Sequence, residues 1–397
     1  MNGDALQLYR GLPVITNKLP ENERQGIPHH LLGCIELEEQ PWTVRDFSQR
    51  AKVTVDGIRS RGKLPIIVGG THYYVQSILS TRSILDSHTN ALEDSQAETQ
   101  RWPILNDSTE NILKELQRVD PLIARRWHPK DRRKIQRSLE IWLQTGQRPS
   151  ELYSEQSREC SNSLQGSADY GARQSSDDIL LLWTHAFTSD LLPRLETRVE
   201  EMVAKGLLDE AEMMYDFVQR KRAEGFEIDN DRGIFIAIGY KEFMPFLTAD
   251  CRSENVKAEC LERTNISTRQ YAKQQTRWLR HKLLPFVAEN DQLDCTFLLD
   301  ASNLDKWHSN VEACAADLTE SFLHGSKLPS PKSLSNLAHD MLELKERPTF
   351  QSRQCDACGK TMMTESEWER HLSSKGHRHA TRPARNDRKI ACDRPGD

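Results

Sequence analysis

Apolar positions along the chain follow two periodicities, which predict parallel strands and amphipathic helices. Residues 64–68 form a β-branched apolar run that ends at Gly69-Gly70-Thr71, and a helical pattern follows. This order is typical of a buried parallel strand that enters a helix through a glycine turn. Residues 179–183 form a second apolar run of the same kind. The combination predicts an α/β fold with a parallel sheet core.

Helical spacing dominates the remainder of the chain. Helices are predicted over residues 112–119, 131–144, 191–205, 211–222 and 264–284, with Thr145-Gly146 and Gly206 as helix ends. We therefore expect a first part of the core (1–84), a helical insertion (85–160), a mostly helical second part of the core (177–325), a Ser/Pro/Lys-rich linker (326–350), a compact unit (351–380) and a basic tail (381–397).

Composition narrows the class of protein. The 54 basic and 59 acidic side chains give a net charge of −5, so binding to a polyanion would depend on local basic patches. Apolar runs stay far below the roughly 20 residues that cross a bilayer, so no membrane span is expected. Nine scattered cysteines do not suggest a disulfide framework and indicate a reducing compartment. We expect the protein to be located in the cytoplasm, with mitochondria and the nucleus as alternative compartments.

A metal site is the sharpest chemical signal. Cys355 and Cys358 are separated by two residues, His371 follows after twelve, and His377 after five more. Two thiolates on a hairpin and two imidazoles on a helix are typical of a structural Zn²⁺ site. A unit of this size buries too little surface to fold without metal. His379 is an alternative fourth ligand, but its longer spacing makes His377 the preferred one.

Basic residues cluster in three regions. Arg269, Lys273 and Arg277 recur every four residues, and no acidic residue interrupts residues 263–282. Because acidic i,i+4 partners are missing there, we expect this stripe to contact phosphates. Tyr271 and Trp278 lie beside it as stacking or packing groups. The alternative is a solvated helix face with core aromatics. The other regions are residues 125–137 and 370–397.

Several segments, taken together, resemble the tRNA dimethylallyltransferases, also called tRNA isopentenyltransferases. They are Asp4-Ala5-Leu6-Gln7-Leu8-Tyr9, residues 11–18, residues 26–31, Val68-Gly69-Gly70-Thr71-His72-Tyr73-Tyr74, Gly239-Tyr240-Lys241-Glu242 and Thr268-Arg269-Gln270-Tyr271-Ala272-Lys273. Residues 128–140 resemble the family's insertion-domain motif, and residues 299–301 with Trp307 resemble its carboxy-terminal core. The Cys/His unit is similar to the zinc finger of eukaryotic members.

The resemblance implies a P-loop-NTPase-like core and transfer of a dimethylallyl group from dimethylallyl diphosphate to the exocyclic amine of adenosine 37 in the tRNA anticodon stem-loop. It implies Asp4 as the base and Thr71 as a second catalytic residue. Gly69, Gly70 and Lys241 would bind the diphosphate with Mg²⁺. The implied tRNA-binding residues are Gln7, Arg133, Gln136, Arg137, Arg269, Gln270, Lys273 and Arg277. We expect a monomer.

The sequence departs from the family pattern at three places. Lys241 and Gln274 stand where arginine is usual. No G-x-x-x-x-G-K-[ST] phosphate loop is present, and the first strand and loop that full-length members carry ahead of the position of Asp4 are absent. We therefore expect impaired transfer by the chain as written, and we interpret the amino terminus as incomplete. The alternative is a non-catalytic, zinc-dependent tRNA-binding protein; a P-loop kinase fits the motifs less well.

Overall fold

The computed structural model describes residues 1–79, 102–155, 179–249, 252–344 and 350–381. The chain divides into two units: Met1–Ile84 with Gln174–Lys345, and Leu85–Arg173 with Glu346–Asp397. The second unit therefore contains the predicted helical insertion and the predicted compact unit. All but the first residue of the predicted basic tail lie outside the described residues.

The described residues are mostly helical. In chain order, the elements are α1 (Val44–Arg59), α2 (His72–Leu79), α3 (Thr109–Val119), α4 (Pro121–Arg126), α5 (Arg132–Thr145), β1 (Leu181–His185), α6 (Thr188–Ala204), α7 (Leu207–Ala223), α8 (Tyr240–Leu247), α9 (Glu254–Trp278), α10 (Leu284–Glu289), β2 (Thr296–Asp300), α11 (Cys314–Leu323), α12 (Asn336–Met341), β3 (Phe350–Gln354), β4 (Thr361–Thr364), α13 (Glu365–Ser373) and α14 (Lys375–Ala380). No described helix is both long and apolar enough to cross a membrane.

A short parallel sheet lies in the first unit. Strand β1 pairs with β2 in parallel, from Leu181 opposite Thr296 to His185 opposite Asp300. Four of the five β2 residues are buried, as expected for a strand covered on both faces. The predicted second strand is confirmed, although it begins and ends two residues later than the apolar run.

The predicted strand at residues 64–68 is wrong for the described structure. Backbone pairing there is limited to a parallel bridge between Asn2 and Val68, flanked by a hydrogen bond from the Met1 amino group to the Ile66 carbonyl at 2.7 Å. The side chains of Ile66 and Val68 are 61% and 69% exposed. No described element covers these side chains.

The core of the first unit fixes helix α2. Tyr74 stacks on Phe47 of α1, with ring centroids 4.0 Å apart, and its hydroxyl donates to the Trp42 carbonyl at 3.0 Å. Phe47 is fully buried, together with Leu8 and Ile35. Burying an aromatic side chain contributes roughly 1.5–3 kcal/mol. The turn that precedes α2 is therefore attached to a rigid part of the unit.

Helix α7 holds the loop that follows Tyr9. The backbone N–H groups of Val14 and Ile15 donate to the two carboxylate oxygens of Glu210 at 2.9 and 2.7 Å. The Lys18 ammonium donates to the carbonyls of Tyr9 and Gly11. Desolvation lowers the pKa of Lys18 to about 8, against the attraction of Glu210. A carboxylate that is distant in sequence thus fixes the conformation of this loop.

Part of the predicted linker packs into the first unit. Residues 334, 337, 338, 341 and 342 are apolar at helical spacing, and Leu337 and Leu342 on and after α12 are buried beside Leu284 and Leu298. Residues 331–342 therefore do not behave as a free linker. The segment was predicted as a linker from its Ser/Pro/Lys content, although its apolar residues follow an amphipathic helical pattern.

The second unit has its own helical core. Helices α3 and α5 bury Ile112, Leu116, Ile135 and Leu139. Helix α5 ends at Gly146, which adopts a left-handed φ of 69°, as predicted from Thr145-Gly146. The carboxy-terminal part consists of the antiparallel β3–β4 hairpin followed by α13 and α14.

Candidate functional site

The turn between residue 68 and α2 lies directly against the first residues of the chain. The Thr71 hydroxyl accepts a hydrogen bond from the Ala5 backbone N–H at 2.9 Å, and Gly3 N–H donates to the Val68 carbonyl at 2.8 Å. A Cβ on Gly69 would lie 2.1 Å from the Gly3 carbonyl carbon. Only glycine permits this backbone approach.

Asp4 is placed beside this turn with one carboxylate oxygen engaged. Asp4 Oδ1 accepts from the N–H groups of Leu6 and Gln7 at 2.9 and 3.4 Å. The Asn2 side chain bonds both the N–H and the carbonyl of Asp4 at 2.9 Å. Asp4 Oδ2 has no hydrogen-bond partner among the described residues, and a Cβ on Gly70 would lie 3.3 Å from it. The geometry leaves Oδ2 available as a hydrogen-bond acceptor.

Tyr271 of α9 completes this group, and the sequence did not assign it to the site. Its hydroxyl would lie 3.7 Å from the same Cβ position on Gly70. Desolvation, together with the Asp4 carboxylate, raises the pKa of Tyr271 to about 12, so the phenol stays protonated near neutral pH. The position of Tyr271 in the Thr268–Lys273 motif was the available signal, but the residue was interpreted as a stacking or packing group.

Trp278 serves a packing function. Its ring stacks on His72 at the start of α2, with centroids 5.4 Å apart. Burial lowers the pKa of His72, which favours the neutral imidazole. The carboxy-terminal end of α9 therefore packs on the helix that follows the Gly69-Gly70-Thr71 turn.

Lys241 is not joined to that turn by any described hydrogen bond or ion pair. It pairs instead with Asp231 at 2.7 Å, at the start of α8, where Gly239 and Glu242 cap the helix. Lys241 and Gln270 line an open depression with Glu242, Arg263, Ile266 and Ser267. The residues predicted to bind diphosphate therefore fall in two places: Gly69 and Gly70 beside Asp4, and Lys241 in this depression.

The basic stripe of α9 is only partly free of acidic partners. Arg269 pairs with Glu196 of α6 at 2.7 Å and with Glu262 at 3.0 Å. The expectation of a stripe without ion pairs is wrong at this residue, because both partners lie outside the i,i+4 positions. Lys273 and Arg277 are exposed, and neither has an ion-pair partner in the part of the chain that the structure describes.

The remaining residues predicted to bind tRNA differ in their exposure and in whether they already have a partner within the chain. Arg133 is exposed on α5 with no partner among the described residues, whereas Arg137 pairs with Glu140 at 2.7 Å. Gln136 is half-buried. The Gln7 amide donates to the carbonyls of Thr16 and Asn17 at 3.2 and 3.0 Å, so its hydrogens already hold a loop.

The predicted metal ligands come together in the second unit. Cys355 and Cys358 lie in the turn that joins β3 to β4, and His371 and His377 lie on α13 and α14. The four candidate ligand atoms are within 4.8 Å of one another. Cys355 Sγ lies 3.4 Å from His377 Nδ1, Cys358 Sγ lies 3.2 Å from His371 Nε2, and the two ring nitrogens are 3.1 Å apart. A tetrahedral Zn²⁺ ion would separate such atoms by about 3.3–3.8 Å.

The protonation states in this cluster also suit a metal. Desolvation opposes ionisation of Cys355, but the backbone N–H groups of Cys358 and Ala357 hold the pKa of its thiol below the usual value. Desolvation lowers the pKa of His371, which keeps the imidazole neutral. Thiolate and neutral imidazole are the forms that bind metals. The cluster can therefore hold a metal ion.

Comparison with known proteins identifies the family to which the chain belongs. A family model described as IPP transferase matches residues 7–282. The chain therefore belongs to the IPP transferase family, whose matched segment includes the turn, Gly70 and Tyr271.

Individual relatives are similar over nearly the whole chain. The tRNA dimethylallyltransferase of Schizosaccharomyces pombe is 36% identical, covering 96% of this chain and 88% of the relative. That of Saccharomyces cerevisiae is 32% identical, covering 95% and 85%. The solved structure of a eukaryotic dimethylallyltransferase acting on tRNA has a TM-score of 0.76 at 29% identity, covering 96% of this chain and 89% of that chain.

The two neighbouring glycines should respond differently to an added methyl group. We expect Gly69→Ala to destabilise the protein by about 1–3 kcal/mol, because the Cβ overlaps the Gly3 backbone. Gly70→Ala should change stability little, since its Cβ meets Asp4 and Tyr271 atoms at 3.3 and 3.7 Å. Chemical denaturation of both variants checks this. Equal losses of stability would contradict the described backbone approach.

Proposed function

We propose that this chain transfers a dimethylallyl group from dimethylallyl diphosphate to the exocyclic amine of adenosine 37 in tRNA, in place of the impaired transfer expected from the sequence alone. The observation that carries the proposal is the free Oδ2 of Asp4 beside the Gly70 turn, in a chain of the IPP transferase family. The relatives that align with nearly all of the chain are named as tRNA dimethylallyltransferases. They favour this activity over a tRNA-binding protein without turnover.

Asp4 is the base in this proposal. An adenine amine is weakly nucleophilic because its lone pair is delocalised into the ring, so it needs an oriented acceptor for its proton. The adenine must leave the base stack of the anticodon loop to reach Asp4. As the amine nitrogen bonds to the allylic carbon, the carbon–oxygen bond to diphosphate breaks, diphosphate leaves with the electron pair, and the proton passes to Asp4 Oδ2.

The turn before α2 supplies polar groups on the diphosphate side. Thr71 Oγ accepts from Ala5 N–H, so its own hydrogen remains available for donation. Backbone N–H groups of Gly69 and Gly70 precede a helix start, where anions are favoured. Mg²⁺ would neutralise part of the diphosphate charge. Lys241 would join this site only by exchanging its ion pair with Asp231 for substrate phosphate.

Exposed cations of both units supply the RNA contacts in this proposal. Lys273 and Arg277 of α9 and Arg133 of α5 are charged and exposed, with no ion-pair partner in the described residues. Such groups bind phosphate by releasing condensed counterions. Arg269 and Arg137 would contribute less, because each already pairs with a carboxylate.

The metal of the Cys/His cluster is zinc in this proposal, with a structural role. Two thiolates and two imidazoles fill a tetrahedral shell, which leaves no open position for substrate. The hairpin and two short helices bury few side chains, notably Met363 and the ligands Cys355 and His371. Metal binding would therefore supply much of the folding free energy of this part of the chain.

Asp4→Asn tests the proposed base. Asparagine keeps an oxygen that can accept from Leu6 N–H, so the local fold should persist, but it cannot take a proton. We expect transfer of radiolabelled dimethylallyl to unmodified tRNA to fall by about 10²-fold or more. The matched control is Asp56→Asn on the exposed face of α1.

Two outcomes would contradict the proposed activity. One is unchanged transfer by the Asp4→Asn variant. The other is a wild-type chain that binds tRNA but transfers no label in the presence of Mg²⁺, which would instead support the RNA-binding alternative.

Salt dependence tests the proposed phosphate contacts on α9. The double substitution of Lys273 and Arg277 by Gln should lower the log–log salt slope of tRNA binding by about 1.4–1.8, or 0.7–0.9 per contact. Arg269→Gln should change the slope less, because Arg269 is already neutralised by two carboxylates. Lys52→Gln on α1 is the control. An unaltered slope in the double variant would show that these two side chains are exposed to solvent but do not contact tRNA phosphates.

Metal analysis tests the zinc assignment. Cys355→Ser should remove about one equivalent of zinc from the purified protein, because a hydroxyl is a poor substitute for a thiolate ligand. Cys34→Ser, which changes an exposed cysteine outside the cluster, should leave the zinc content unchanged. A Cys355→Ser protein that retained all its zinc would refute the proposed ligand set.

A further inference from the structure

Two acceptor oxygens face the same small space above Gly70. A methyl-sized atom at that position would lie 3.3 Å from Asp4 Oδ2 and 3.7 Å from Tyr271 Oη. Neither oxygen has a hydrogen-bond partner among the residues described, whereas Asp4 Oδ1 is engaged by two backbone N–H groups. Both oxygens can therefore accept a hydrogen bond from a ligand placed there.

The two oxygens differ in their chemistry. Asp4 is a carboxylate, which can accept and keep a proton. Tyr271 is a phenol whose pKa is raised by desolvation and by Asp4, so it stays neutral and does not compete as a base. A neutral phenol oxygen still has lone pairs that accept a hydrogen bond.

An exocyclic amine carries two hydrogens, and the site presents two acceptors. We propose that Tyr271 Oη accepts the hydrogen of the adenine amine that is not transferred to Asp4, and that Tyr271 is thereby a specificity-determining residue for an amine-bearing base. This inference rests on the proposed function. The second hydrogen bond turns the amine so that its other hydrogen points to Asp4 Oδ2.

This role differs from a stacking or packing role for Tyr271. A stacking ring would favour any purine, because every base has a π-face. A hydrogen-bond acceptor favours only a base with a donor at that position. Tyr271→Phe keeps the ring and removes the oxygen, so it separates the two roles.

The test compares binding of two anticodon stem-loop RNAs to the full chain. One carries adenosine at position 37, and the other carries purine riboside, which lacks the amine. We expect the wild-type protein to prefer the adenosine RNA and Tyr271→Phe to reduce that preference by about 3- to 10-fold, the usual contribution of one net hydrogen bond. Fluorescence anisotropy measures both affinities without requiring turnover.

Two variants control the experiment. Tyr215→Phe removes a hydroxyl from a half-buried tyrosine on α7 and should keep the wild-type preference. Gly70→Ala fills the proposed space and should remove the preference while the unfolding transition stays close to that of wild type.

The outcomes separate this inference from the proposed function. If Tyr271→Phe or Gly70→Ala keeps the wild-type preference for the adenosine RNA, or if the wild-type protein shows no such preference, Tyr271 does not recognise the amine. The proposed transfer activity still stands in that case if Asp4→Asn loses transfer. Failure of wild-type transfer would instead count against the proposed function itself.

Discussion

The candidate site depends on the close approach of two backbone segments, at Gly3 and Gly69. Because Gly69 has no side chain, the first residues of the chain run alongside the segment that enters α2. The hydrogen bond from Ala5 N–H to Thr71 Oγ then fixes the register between them. Asp4 lies between these two contacts, so its carboxylate is positioned by backbone geometry and not by its own side-chain rotamer alone.

Helix α9 connects the rest of the site to this pair of segments. Its buried residues Cys260 and Thr264 attach it to the first unit, and Trp278 packs on His72 next to the turn. Between these anchors the helix presents Tyr271 to Asp4 and exposes Lys273 and Arg277. A single helix thereby carries both the residue proposed to recognise the adenine amine and the residues proposed to contact phosphates, at separations set by the helical repeat.

The Cys/His cluster depends on a different constraint. Its hairpin and short helices have little apolar surface to bury, and the four candidate ligand atoms lie within 4.8 Å of one another. Spacing in the sequence predicted the four residues that cluster, although the two histidines lie on two consecutive helices and not on one as expected. The structure separates His377 from the alternative ligand His379, which lies outside the cluster.

Local features of the fold were determined by the sequence itself. Helical periodicity located α5 and α7, Gly146 marked a helix end, and the spacing of the Cys and His residues predicted their cluster, since each feature depends on neighbours within a few turns. Tertiary structure decided the rest. The apolar run at residues 64–68 is exposed because no described element covers it, and Arg269 is paired because Glu196 approaches from α6. Tyr271 lies beside Asp4 although 267 positions separate them along the chain. Periodicity reports which face of an element is apolar, but not which distant residue that face will meet.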